Sequence, residues 1–142
     1  MSQFEKTTPA FADVLAVLHK ACFEKAWNKD AFLSLLRLPT TVGLLNDAGF
    51  ILCSVCGDEA EILTIGVLPS ERKKGIAFAL LTEMEFVLKE AGVSNFFLDV
   101  NETNIPALNL YAKFGFEQVG LRKAYYQEKG QTFDALLLKK CI

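Results

Sequence analysis

The sequence predicts a single α/β domain, residues 1–142, whose mixed central sheet carries helices on both faces and contains a parallel central strand pair. Three observations carry this reading. A strand, a helix and a second strand follow one another across residues 61–100, and that succession implies parallel neighbours joined by a right-handed crossover. Hairpin signals lie on both sides of this unit, which makes the remaining strands antiparallel. The chain has 142 residues, 51% of them hydrophobic and 23% charged. That is one domain's length, enough to bury roughly 70% of the unfolded surface.

Each element has a local reason. Thr8-Pro9 opens a first helix, with Thr8 as its cap and Pro9 at its first position. Phe11, Val14, Leu15, Leu18 and Cys22 form its apolar face. Asn28 caps a second, short helix bearing Phe32, Leu35 and Leu36, and Pro39 ends it; Trp27 before the cap reads as a hydrophobic staple, with a place in a substrate groove as the alternative. Residues 41–45 and 50–56 read as strands around the turn-rich Asn46-Asp47-Ala48-Gly49. Residues 61–68 form the next strand, since Ile62, Leu63, Ile65, Val67 and Leu68 are apolar and partly β-branched until Pro69.

A helix then begins near Gly75. Ile76, Ala77, Leu80, Leu81, Met84, Val87 and Leu88 recur at three- and four-residue spacing, and Gly92 supplies the stop. Residues 95–100 are the following strand. Asn104 caps a last helix, residues 105–114, which Gly115 terminates. Residues 116–122 and 132–139 read as two strands joined through residues 125–130.

The turn between the 61–68 strand and its helix is the first chemical signal. Arg72, Lys73 and Lys74 stand beside a helix N-terminus, where unpaired amides and the positive end of the dipole favour an anion. Gly75 removes a Cβ where a ligand approaches closely. A diphosphate suits such a turn best, although neither common phosphate-loop fingerprint is present.

The second signal is Asp99-Val100 followed by Asn104 and Tyr111. Asp99 lies near the end of a strand expected beside residues 61–68. Tyr111 is two helical turns beyond Asn104 on the same face. A carboxylate, a cap amide and a phenol could converge where the two strands meet. Equally, Asp99 could satisfy backbone amides, Asn104 only cap its helix, and Tyr111 only fill the core.

Other classes are disfavoured. The net charge of −2 argues against a nucleic-acid binder. No apolar run has transmembrane length, and no secretory signal is evident, so the expected location is cytoplasmic. Cys53 and Cys56 have redox spacing but fall on a strand, where residues three apart face opposite ways, so neither a disulfide nor a metal site is expected. His19, the only histidine, is far in sequence from the elements above.

Arg72-x-x-Gly75-x-Ala77 after Ile65-Gly66-Val67 resembles the acetyl-CoA loop of the GCN5-related N-acetyltransferase (GNAT) superfamily. Asn104-x-x-Ala107-x-x-Leu110-Tyr111-x-x-x-Gly115-Phe116 is similar to the signature of its peptide N-terminal acetyltransferases. Together with Leu98-Asp99-Val100, Tyr125-Tyr126, Asp134-Ala135 and the segment from Cys22 to Phe32, it resembles the ribosomal-protein alanine N-acetyltransferases of that superfamily. The resemblance runs from about Phe11 to Lys139.

It implies a GNAT fold whose parallel pair opens around acetyl-CoA. It also implies contact between the backbone of Ile65, Gly66 and Val67 and the pantetheine arm. Arg72, Lys73, Lys74, Gly75, Ile76, Ala77 and Phe78 would lie at the pyrophosphate, with Asn104 also on the coenzyme. Asp99 falls on the proton acceptor, where a glutamate is usual, and Tyr111 on the proton donor. Asn101 replaces a frequent arginine. The implied acceptor is a protein N-terminus, most readily an alanine of a ribosomal protein, without metal, membrane or nucleic acid, in a monomer or weak dimer. Acetylation of a lysine or a small amine is the alternative in the same class. A non-catalytic acyl-CoA-binding module is the third reading.

Overall fold

The computed structural model describes residues 3–142. Its elements are β1 (Glu5–Lys6), α1 (Ala12–Cys22), α2 (Lys29–Leu36), β2 (Thr41–Leu45), β3 (Gly49–Cys56), β4 (Glu59–Val67), α3 (Ile76–Glu90), β5 (Asn95–Asn101), α4 (Ile105–Phe114), β6 (Glu117–Glu128) and β7 (Gln131–Cys141). The strands form one sheet in the order β1-β2-β3-β4-β5-β7-β6. Only β4 and β5 run parallel, and α3 makes the crossover between them.

Strand alternation divides the core in two. Leu45, Phe50 and Leu52 point to one face, where Leu15 and Leu18 of α1 and Phe32 of α2 cover them. Leu44, Ile51 and Cys53 point to the other, against Leu80, Leu81, Met84 and Leu88 of α3. Tyr111 and Phe114 of α4 extend that second layer over Val100 and Phe116. Full burial of each large aliphatic or aromatic side chain stabilises the fold by about 1.5–3 kcal/mol.

Several ends follow from single residues. Asn28 Oδ1 accepts from the Ala31 N–H at 2.9 Å, and Asn104 Oδ1 from the Ala107 N–H at 3.3 Å. Gly115 leaves α4 with φ 110°, a left-handed conformation. Thr8 does not cap: residues Pro9–Phe11 form a 3-10 turn ahead of α1, and the Thr8 side chain makes no capping bond. The final hairpin is tighter and longer than expected. β6 and β7 continue to Glu128 and Gln131, and Lys129 and Gly130 both take positive φ, 49° and 75°, as a two-residue turn that follows strand twist requires.

One irregularity opens the molecule. In the β3–β4 ladder Leu52 pairs with Thr64 and Cys53 with Ile62, so Leu63 is an extra residue on β4. A bulge bends and twists its strand. Below it, β4 pairs with β5 only at Glu59–Asn95, Ala60–Phe96 and Glu61–Phe97. Above it the two strands have parted, and the sheet carries a wedge-shaped gap.

Candidate active site

The gap exposes the main chain of β4 selectively. Leu68 donates to the Ala48 carbonyl at 2.8 Å, a hydrogen-bonded pair beyond the end of the β3–β4 ladder. Antiparallel pairs alternate. Gly66, opposite Phe50, therefore turns its amide and carbonyl toward β3, whereas Ile65 and Val67 turn theirs toward the gap. The Ile65 main chain and the Val67 N–H, on a strand edge, fit an extended amide-bearing chain. Gly66 contributes its missing side chain: a Cβ there would sit 2.7 Å from the Phe50 ring and 3.2 Å from Cys22 Sγ.

The basic turn closes one end of this edge. Gly75 stands at the N-cap of α3 with φ 80°, and a Cβ placed on it would meet nothing within 4 Å. The space over Gly75 is open for a ligand, beside the first amides of a 15-residue helix. Ile76, Ala77 and Phe78 supply that first turn. The cations are not equivalent. Arg72 Nε donates to the Val67 carbonyl at 3.0 Å, which braces the turn against β4, and its guanidinium also reaches Cys22. Lys74 pairs with Glu71 at 2.9 Å. Lys73 is exposed with φ 65°. Asn104 spends its side-chain oxygen on the α4 cap.

Asp99 sits two residues beyond the last β4–β5 pair, at the apex of the gap. It shares a face with Phe97, on the half of the sheet beyond α1 and α2. One oxygen, Oδ1, is buried without a hydrogen bond, and Arg122 Nε of β6 lies 3.7 Å from it. Arg122 in turn packs over the Tyr125 ring. Tyr111 enters from the opposite face and is 6% exposed. Burial, with Tyr126 and Cys53 nearby, pushes its phenol well above the ordinary value. Tyr126 is pushed up to about 12 by burial and then by the neighbouring Asp99. Asp99 and Tyr111 thus lie on opposite faces of the sheet, and Tyr126 is a neighbour of both.

Arg122, Tyr126 and His19 were not recognisable as site residues. Arg122 and Tyr126 lie on β6 beyond bulges that no local pattern announces. His19, remote in sequence, is in fact beside the site strand: its Nε2 lies 3.1 Å from Thr64 Oγ1 on β4, one residue before Ile65. Cys53 is buried and Cys56 exposed, on alternate faces of β3, and both are free thiols.

Comparisons with known proteins agree with this geometry. The profile of the "Acetyltransferase (GNAT) family" matches residues 13–116. A [ribosomal protein bS18]-alanine N-acetyltransferase of Haemophilus influenzae is 42% identical over 93 residues, 66% of this chain and 63% of that protein. A Bacillus subtilis protein provisionally given the same name is 32% identical over 127 residues, 85% of this chain and 83% of that one. The crystal structure of the Escherichia coli ribosomal-protein-S18-alanine N-acetyltransferase superposes with a TM-score of 0.91 at 24% identity, over 100% of this chain and 94% of the other. Arabidopsis thaliana NAA60, solved with acetyl-CoA, superposes at 0.83 with 23% identity, over 98% of this chain and 97% of that one. With a split parallel pair, an open glycine turn and a family match over most of its length, this chain belongs to the GNAT acetyltransferase family.

Proposed function

We propose that the protein transfers an acetyl group from acetyl-CoA to the N-terminal α-amino group of a protein, an N-terminal alanine of a ribosomal protein, in the cytoplasm. The observation that carries the reaction is the parted β4–β5 pair. It leaves the Ile65 and Val67 main chain facing the gap, with Asp99 at its apex and a buried phenol opposite. The acceptor class is supported by the names of relatives at 32–42% identity.

The coenzyme's pantetheine arm would lie along Ile65 and Val67, and its diphosphate over Gly75 and the first turn of α3. The acceptor then enters from the Asp99 face. A neutral amine attacks the thioester carbonyl carbon, and the Val67 N–H receives the developing oxyanion. An α-amine, with a reference pKa of about 7.7–8.0, sheds its proton far more readily than a lysine near 10.4. As the neutral amine adds, its nitrogen loses a proton to Asp99, through a water given the shortness of that side chain. As the C–S bond breaks, Tyr111 gives its proton to the departing thiolate, leaving N-acetylated protein and free coenzyme A. A phenol whose pKa is raised by burial remains protonated until that moment.

Two peptides of one basic sequence test the acceptor, one with a free N-terminal alanine, the other blocked at the N-terminus with its lysines intact. Labelled acetyl-CoA should modify the free peptide. Faster labelling of the blocked one would reassign the enzyme to lysine side chains.

A further inference from the structure

The turn at residues 23–28, between α1 and α2, spans from the end of α1 toward the open half of the sheet. Its Lys25 Nζ donates to the Gln127 carbonyl near the end of β6, 3.3 Å away. The turn and the β6–β7 hairpin therefore form an arch on the same face as Asp99 and Arg122. What holds the arch at its other foot is His19. The Trp27 N–H donates to His19 Nδ1 at 3.0 Å. That bond fixes the tautomer: the neutral ring carries its proton on Nε2 and donates it to Thr64 Oγ1 at 3.1 Å. The ring is 3% exposed. It stacks on Trp27 at 4.9 Å and touches Phe23 at 4.4 Å, Phe32 at 5.4 Å and Phe50 at 5.7 Å.

An aliphatic side chain would fill this space more cheaply than a hydrogen-bonded imidazole. A side chain that accepts from one element and donates to another instead sets their separation. The elements joined are the arch and the bulged part of β4. We propose that His19 is a positioning residue for the acceptor amine, which holds the 23–28 turn at a fixed height over the Asp99 side of the gap. This rests on the acetyl-transfer reading above. A further consequence follows from the tautomer. A second proton on the ring would meet the Trp27 N–H donor, so acid releases the arch. The groups facing the ring from α2, β3, β4 and the turn are Phe32, Phe50, Thr64, Phe23 and Trp27, none of them charged. Its own helix carries Asp13, Lys20 and Cys22; Asp13 pairs with Lys29 at 3.5 Å, six residues before His19, and Arg72 reaches Cys22. No carboxylate among them stabilises an imidazolium, and burial lowers the His19 pKa from 6.5.

His19→Phe keeps an aromatic ring and removes both bonds, and His19→Gln offers an acceptor and a donor. In the whole chain, His19→Phe should raise the KM for the free N-terminal peptide about tenfold, by leaving the half-buried Trp27 main-chain amide unpaired. The KM for acetyl-CoA should stay within about twofold, and His19→Gln should recover most of the loss. An unchanged peptide KM, or equal rises in both KM values that Gln does not rescue, would overturn the proposal. Trp27, the only tryptophan, supplies a readout independent of turnover. Its fluorescence should titrate with a midpoint below 6.5 in the wild type and not in His19→Gln. A flat wild-type profile overturns the proposal even if no peptide is acetylated. Absence of acetylation with a normal titration would instead count against the acetyl-transfer reading alone.

Discussion

Tyr111 shows how one atom separates two roles. Its ring packs edge-on against Phe116 at 5.7 Å and belongs to the α3–α4 core, so the side chain has a structural duty whatever its hydroxyl does. Tyr111→Phe keeps that packing. If the phenol protonates the thiolate, turnover should fall about 10²–10⁴-fold with little change in melting temperature or acetyl-CoA affinity. Near-normal turnover would return Tyr111 to the core alone. Gly75 asks the complementary question of binding. A methyl there clashes with nothing in the protein, but φ is 80°. Gly75→Ala should therefore cost about 1–2 kcal/mol of stability from backbone strain alone. Calorimetry should show acetyl-CoA binding weakened beyond that, because the methyl occupies the open space over the turn. Binding at wild-type strength in a folded variant would remove the diphosphate from Gly75. Both positions were legible in the sequence, since a glycine after a cationic run and a tyrosine at helical spacing are local patterns. The partner of Asp99 was not: Arg122 is brought within 3.7 Å only by sheet register.

At the scale of elements, irregular strands do the positioning. The extra Leu63 parts β4 from β5, and a longer bulge on β6 lets residues 123–125 stand opposite Asp134 alone. That second bulge is pinned. Asp134 Oδ1 accepts from the Ala124 N–H at 2.8 Å, where Ala124 has φ 53°. The Asp134 N–H donates to Glu102 Oε2 at 3.0 Å. Tyr125 closes the bulge and Tyr126 follows it, so the bulge aims the Tyr126 phenol that neighbours Asp99. Asp134→Ala should destabilise the protein by about 0.5–1.5 kcal/mol, since the exposed Ala124 amide loses this bond to water. It should also raise the peptide KM while acetyl-CoA affinity holds, which isothermal titration and steady-state kinetics would separate. Helix bounds were readable because caps and stops are local: Asn104, Gly92 and Gly115 mark them. The bulges, and the edge pairing of Glu5 with Leu45 and Lys6 with Leu44 in β1, depend on what lies across the sheet.

For the whole molecule, the sheet separates two cores, and the α1–α2 core contains the one buried histidine. Its neutral form is built into the fold through Trp27 and Thr64, and burial lowers its pKa from 6.5. The sign of the resulting pH dependence is fixed. Below 6.5 the unfolded chain takes up a proton that the native ring refuses, so the unfolded state binds more protons and stability falls as pH falls. The contribution is fully present above the unfolded value and is lost progressively toward the depressed native one. Each unit of difference is equivalent to about 1.4 kcal/mol. Urea unfolding at about pH 7.5 and about pH 5, on the wild type and His19→Gln, isolates this from the carboxylates, which both proteins share. The wild type should lose more stability on acidification than the variant. Equal losses would mean that His19 is protonated in place without cost, with the α1–α2 core yielding around it.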